Sequence, residues 1–438
     1  MRIDRLLLRD LGPFDRLDLP LPAGRRDDRA DVHLLVGPNG TGKTTILQAL
    51  AQVFASRSVG LEGRCWSEDS LVVVGHHDGE CTAWKPTHRG SAVDVPELGV
   101  TLSRTAEASF GSLQGGVLHL AHLDGEVFLA RSPRFTDEHG ILFAYGAQRR
   151  IPPNRPPGVA KLVDNPLAEA PLLEKPDSEG LFVQWLLNLE AQQALAVRHG
   201  DEARAAALSE TSARLAGALS QVVGAPVTFE VRADLLGVDV VVGGRKVPHG
   251  QLPAGLSALL AWVGDLLMRL DRLPWKDDAP VSARSFVLLL DEVEAHLHPA
   301  WQRRVLPMVE TLFPKAQIIA ATHSPFVMHS ASDAWIHRFE LVEGRAIYAG
   351  CEQGPLGKSY VAVLRDLLGL ETEFSPEVET RFAALRELRA RVVAGDAEMA
   401  DFEAAARDLA ELGEEIEQIV ALELRQLRRQ RATRAVGA

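Results

Sequence analysis

The chain has 438 residues, 46% hydrophobic and 24% charged, enough to bury a sizeable core in one elaborated domain or in two to three lobes. Three widely spaced cysteines, Cys65, Cys81 and Cys351, form neither a metal-ligand spacing nor an even disulfide framework, and no run approaches the ~20 apolar residues of a membrane span. A net charge of −12 opposes non-specific attraction to nucleic acid without excluding a local basic groove, and Met1 to Arg9 lacks the pattern of a signal peptide, so a cytoplasmic location is expected.

Ile3 to Leu8 and Asp15 to Leu19 read as two short strands about the turn Gly12-Pro13, followed by an apolar strand, Val32 to Val36. Gly37 to Thr45 follows directly, and Ile46 to Phe54 has helical spacing. From Leu71 to Phe143 the alternation is mostly of period two, with turns at Asp78-Gly79 and Asp124-Gly125, which predicts a sheet-rich stretch. Pro152, Pro153, Pro156 and Pro157 mark an irregular connection to a helical lobe, Leu181 to Leu219, and strands return over Val227 to Val242. An apolar helix, Leu256 to Leu270, precedes two buried strands, Phe286 to Leu290 and Gln317 to Ala321. From Ser359 onward the pattern predicts three helices, with Ser375-Pro376 as a start and Gly395 and Gly413 as breaks. The arginines at the end, Arg425, Arg428, Arg429, Arg431 and Arg434, read as a solvated helix end.

Gly37-Pro38-Asn39-Gly40-Thr41-Gly42-Lys43-Thr44 matches G-x-x-x-x-G-K-[ST] between a strand and a helix. In that context the glycines let backbone N–H groups wrap a β-phosphate, and the following helix adds its positive end. Lys43 can reach the β- and γ-phosphates, the Thr44 hydroxyl can ligate magnesium, and Thr45 completes the phosphate-binding set. The strand Phe286 to Leu290 delivers Asp291 and Glu292 to its carboxyl end, where α/β proteins bind ligands. Asp291 can join the magnesium shell while Glu292 polarises the attacking water. His323 follows the second strand at the same end and can hydrogen-bond a γ-phosphate. His296 and His298 stand two apart without a third ligand nearby and read as hydrogen-bonding residues, so no metal beyond magnesium is assigned.

These residues, in this order, resemble the ABC-like ATPases, a class that includes transporter motors, chromosome-maintenance proteins, RecF and the overcoming-lysogenisation-defect (OLD) enzymes. The further matches are Tyr145-Gly146-Ala147-Gln148-Arg149, a signature-like Leu252-Pro253-Ala254-Gly255, and Glu294-Ala295-His296-Leu297-His298-Pro299. The resemblance spans Ile3 to Pro325. It implies Gln148 as magnesium and water sensor, Glu292 as general base, a D-loop from Glu294, His323 as switch histidine, and Gly255 facing a γ-phosphate held by a second subunit. One position departs from the pattern: Pro253 stands where the family offers a serine hydroxyl, which implies slow hydrolysis.

The Glu-x-His-Leu-His-Pro segment, Thr322-His323-Ser324-Pro325 and the stretch Gly357-Lys358-Ser359-Tyr360 are more similar to the OLD-like and PtuA-like ATPases of Septu and retron defence operons. OLD enzymes append a TOPRIM nuclease, which needs an Asp-x-Asp pair, and none follows His323. The fold expected is therefore α/β: an ABC-type P-loop NTPase core with a mixed sheet, an inserted helical lobe and a helical C-terminal extension. The regions divide as 1–150, 151–250, 251–350 and 351–438. The resemblance implies ATP and Mg2+ as cofactors, a homodimer or higher homo-oligomer completing shared nucleotide sites, and a separate nuclease or other effector subunit, with no membrane partner. A RecF-like repair ATPase clamping DNA, or a weakly active ATP-binding scaffold, are the alternatives.

Overall fold

The computed structural model describes all residues except 1, 25, 27, 56–58, 68, 78–80, 86–92, 96–99, 103–115, 121–140, 150, 152–158, 163–164, 168, 176–180, 233–236, 276, 278, 371 and 437–438. The Asp78-Gly79 and Asp124-Gly125 turns and the four prolines between 152 and 157 lie outside the described residues. The chain divides into two compact units, 1–363 and 364–438.

Strands β1 (Ile3–Leu11) and β2 (Phe14–Pro20) pair antiparallel about the turn at Gly12. Strand β3 (Asp31–Val36) runs into the glycine loop, and α1 (Lys43–Phe54) follows. Then come β4 (Leu71–His76), β5 (Cys81–Lys85), β6 (Val93–Val95), β7 (Val100–Leu102), β8 (Gly116–Leu120) and β9 (Leu142–Tyr145). An antiparallel sheet of order β2-β1-β4-β5-β8 uses the alternating segments, and β6 pairs with β7. Helix α1 is buried on nearly every side because it packs on strands of this sheet and of the central sheet at once. Ile46, Leu47 and Leu50 have no exposed surface, and each such side chain contributes about 1.5–3 kcal/mol of burial.

The inserted lobe is a helical hairpin, α2 (Leu181–His199) and α3 (Glu202–Val223), turning at Gly200. The Asp201 carboxylate accepts the Arg204 N–H and starts the second helix, and Gly224 ends it in the left-handed conformation. A small antiparallel sheet follows, β10 (Val227–Arg232), β11 (Gly237–Val242) and β12 (Arg245–Pro248). The apolar helix expected over Leu256 to Leu270 is interrupted: α4 (Ala254–Leu259) passes through one π-helical turn, 260–264, into α5 (Asp265–Arg272).

The central sheet completes the first unit. Its strands are β13 (Val287–Leu290), β14 (Gln317–Ala321), β15 (Trp335–Val342) and β16 (Arg345–Gln353) with β3 and β9, and helices α6 (Pro299–Leu312) and α7 (Pro325–Ser330) connect them. The order is β16-β15-β3-β14-β13-β9, parallel except for the antiparallel edge strand β16. It is thus the mixed sheet of an α/β fold. Leu290 lies beside Tyr145 on one neighbour and Ala320 on the other, and Ala320 lies beside Leu34. This register brings the carboxyl ends of β3, β14, β13 and β9 to one rim of the sheet.

Helix α8 (Tyr360–Leu368) spans the boundary of the two units, and the second unit continues with α9 (Pro376–Ala394), α10 (Met399–Ala410) and α11 (Glu414–Val436). From Ser359 there are four helices rather than three, because Gly369 takes a left-handed φ of 67° and ends α8 before the Ser375-Pro376 start. Phe382, Leu385, Phe402, Leu409, Val420 and Leu427 form a core internal to this unit. Among the described residues no helix is long and apolar enough to cross a membrane.

Candidate active site

The loop from Gly37 to Gly42 is built by glycines for distinct reasons. Gly40 and Gly42 have φ of 84° and 83°, a region that side chains avoid. A Cβ on Gly37 would lie 2.3 Å from the Phe339 carbonyl oxygen and one on Gly42 2.5 Å from the Phe14 ring, whereas Gly40 meets nothing within 4 Å. Pro38, Asn39 and Gly40 are exposed, and Thr41 is buried with its hydroxyl donating to the Pro38 carbonyl at 2.8 Å. Lys43 Nζ donates to the Gly37 and Pro38 carbonyls at 2.8 and 2.9 Å. Burial pushes its pKa down, opposed by the charges of Asp291, Glu294 and Glu292. Thr45 is fully buried and its hydroxyl accepts from Arg64 at 2.7 Å, which leaves its side chain turned into the core.

Across the rim, the Thr44 hydroxyl donates to Asp291 Oδ2 at 2.9 Å. Burial raises the Asp291 pKa, opposed by this hydrogen bond and by the charges of Arg149 and Lys43. A buried carboxylate raised in this way gains from a cation, and magnesium needs only one or two protein oxygens besides phosphates and water. Thr44 and Asp291 therefore fit a magnesium ion accompanying a nucleotide. A cleft of about 580 Å3 is lined by Thr44, Gln48, Gln148 and Asp291, so three of the residues expected around the metal share one space.

Glu292 is exposed and has a φ of 45°, while its neighbour Asp291 is 7% exposed. His323 is half-buried. Burial, then the charge of Lys43, hold its imidazole below the usual range, so it is neutral near pH 7 and offers one N–H and one acceptor. Gly255 is placed differently from Glu292: it is buried, and a Cβ there would lie 2.8 Å from the His296 carbonyl oxygen. The glycine lets the signature-like turn pack on the Glu294–Pro299 segment of the same chain. Pro253 and Ala254 are exposed, and the Ser257 hydroxyl accepts the Ile151 N–H at 3.2 Å. His298 caps α6, its Nδ1 accepting the Ala300 N–H at 3.2 Å.

Three features go beyond the roles that the motifs assign. Glu294 accepts from the Thr322 hydroxyl at 2.7 Å and from the His323 backbone N–H at 2.6 Å, which ties the end of β14 to the turn after β13. Arg149, 6% exposed, donates to the backbone carbonyls of Gly146, Asp291 and Glu292. The segment 169–175 runs along β9, with Ala144 N–H donating to Ala170 and Gly146 N–H to Leu173 at 2.7 and 2.8 Å, and it puts Leu172, Leu173 and Glu174 on the cleft wall. Lys175 pins this segment by donating to the carbonyls of Ala144, Glu169, Ala170 and Leu172. The sequence marks Glu294 as the start of the D-loop segment and Arg149 as the end of the Tyr145–Arg149 segment, but assigns neither of them these partners.

A glycine loop leading into a buried helix, with an Asp-Glu strand end and a histidine strand end beside it on a largely parallel sheet, defines a P-loop protein of the ABC type. Residues 231–329 match the family model described as "AAA domain, putative AbiEii toxin, Type IV TA system", and residues 1–58 match a second AAA domain model. Septu protein PtuA of Bacillus thuringiensis is 22% identical over 352 residues, 79% of this chain and 80% of that protein. The "Retron Vc95 probable ATPase" of Vibrio cholerae serotype O1 biovar El Tor is 30% identical over 149 residues, 34% of this chain and 28% of that protein. The SMC head domain from Thermotoga maritima aligns with a TM-score of 0.39 at 16% identity, covering 81% of this chain and 100% of that one. The chain is thus similar to the PtuA and retron-associated ATPases that its motifs resemble.

Proposed function

We propose that this protein binds ATP with magnesium on the Gly37–Thr44 loop and hydrolyses it. ATP-bound copies then dimerise to regulate a separate effector, a nuclease, in anti-phage defence. The observation that carries the first part is the Thr44–Asp291 hydrogen bond, which sets a hydroxyl and a buried carboxylate against one cleft beside the glycine loop. Thr44, Asp291 and Gln148 would hold magnesium, whose charge offsets that of the phosphates and favours an in-line attack. Lys43 exchanges the Gly37 and Pro38 carbonyls for phosphate oxygens. Glu292, exposed beyond Asp291, takes the proton of the attacking water, and neutral His323 donates to the γ-phosphate.

Dimerisation is supported by the exposed Pro253-Ala254 turn and the exposed His296 and His298, which lie together because Gly255 packs on the His296 carbonyl. The likeness to Septu and retron proteins supports the defence role, and the self-contained helical unit 364–438 is a candidate docking platform for the effector. Light scattering of Glu292→Gln with and without ATP and magnesium tests the dimer: a doubled mass only with nucleotide is expected, and an unchanged mass removes it. Pro253 favours a second reading, a scaffold that binds ATP with little turnover, since the nearby Ser257 hydroxyl is turned toward Ile151. Retained affinity without phosphate release by the wild type would select it.

A further inference from the structure

We infer that Arg149 is a positioning residue for hydrolysis, its guanidinium holding the backbone turn from which Glu292 is presented. The inference rests on the reading of Glu292 as the base and adds what fixes that base in place.

The ladder of the central sheet ends at this turn. Asp291 N–H still donates to the Tyr145 carbonyl at 2.9 Å, as a parallel pair continuing β13 and β9 would, and Val293 N–H donates to Ala321 on the opposite neighbour at 3.3 Å. Between them the backbone crosses from one neighbour to the other through Glu292, whose φ of 45° is left-handed. A residue with a side chain avoids that region and persists there only where its surroundings over-determine it. Past the crossing, Arg149 Nη2 donates to the Asp291 and Glu292 carbonyls, to Glu292 at 3.3 Å, and the Glu292 carbonyl also accepts the Ala295 N–H at 2.8 Å.

The same guanidinium donates through Nε to the Gly146 carbonyl, at the start of the turn that carries Gln148. One rigid fork thus references the two water-handling candidates, Gln148 and Glu292, to each other. Its flat group lies 5.9 Å from the centre of the Trp262 ring, within the π-helical turn of the helix that follows the signature-like segment. Burial pulls the Arg149 pKa down to about 10, opposed by Asp291, Glu294 and Glu292, so the group stays charged at neutral pH. A lysine keeps the charge but cannot span Gly146 and the Asp291-Glu292 carbonyls together.

The test compares wild type, Arg149→Lys and Arg149→Ala by ATP titration, steady-state turnover and amide hydrogen exchange. For Arg149→Lys we expect ATP affinity unchanged within about twofold, because the phosphate loop is untouched, and kcat lower by about a hundredfold. Exchange should quicken at residues 291–293 and not in α1. Millimolar guanidinium, but not sodium chloride, should restore turnover to Arg149→Ala; if that variant does not fold, the lysine variant decides. Wild-type kcat in Arg149→Lys, or unchanged exchange at 291–293, overturns the proposal. A wild-type chain that binds ATP without turnover ends the hydrolysis reading instead, and exchange still decides what Arg149 holds.

Discussion

Replacing Glu294 by alanine removes two acceptors from the end of β14. The carboxylate accepts from the fully buried Thr322 hydroxyl at 2.7 Å and from the His323 N–H at 2.6 Å. Hydrogen bonds to a charged group contribute about 1.5–3 kcal/mol each, and Glu294 is only half-buried, so water recovers part of the loss; about 2–4 kcal/mol in all is the expected cost. Thr322 Oγ1 also accepts the Ser324 N–H at 3.0 Å, so the turn that begins α7 loosens with it. Urea unfolding should show a lower midpoint with unchanged slope, and ATP turnover should fall about tenfold or more while ATP affinity stays near wild type. A stability change below about 0.5 kcal/mol together with wild-type turnover refutes the argument that Glu294 holds His323 in place.

Lys43→Ala deletes a phosphate-directed charge and little core volume, so calorimetry should find ATP binding abolished in a chain of native circular dichroism. Burial raises Glu310 from 4.5 to about 7, with Arg29 3.9 Å away, so the folded state holds a proton that the unfolded state has lost between those values. Stability therefore falls as pH rises from 4.5 through 7, and Glu310→Gln should abolish that fall, a gain of about 3 kcal/mol at pH 8 by urea unfolding against no gain at pH 4. A chain ending before Phe374 should retain basal turnover and lose co-purification with the proposed effector, the product of the neighbouring gene.

Continuous apolar runs are legible because a strand buried on both faces tolerates little else, and they locate β3, β13 and β14 and the residues at their ends. The glycine loop is legible because positive φ and close approach to Phe339 and Phe14 leave few other residues there. Segment 169–175 is not legible, since it meets β9 through backbone groups and has no side-chain period of its own. Nor is the role of Arg149: it closes the Tyr145–Arg149 match, but its three carbonyl acceptors are brought together only by the fold. The hairpin β15–β16 is missed for a related reason, because His337 and Arg338 interrupt an apolar pattern that burial against β3 would otherwise display. The π-helical turn at 260–264 leaves the apolar content of its helix unchanged, so composition cannot reveal it.

ATP hydrolysis is assigned to the rim formed by the glycine loop, Asp291 and Glu292. Phosphate release by the purified chain with ATP and magnesium, set beside that of Glu292→Gln, measures it most directly. The wild type should turn over ATP, slowly in view of Pro253, and the variant should lose about a hundredfold or more with ATP affinity preserved. Equal turnover by the two proteins would contradict it.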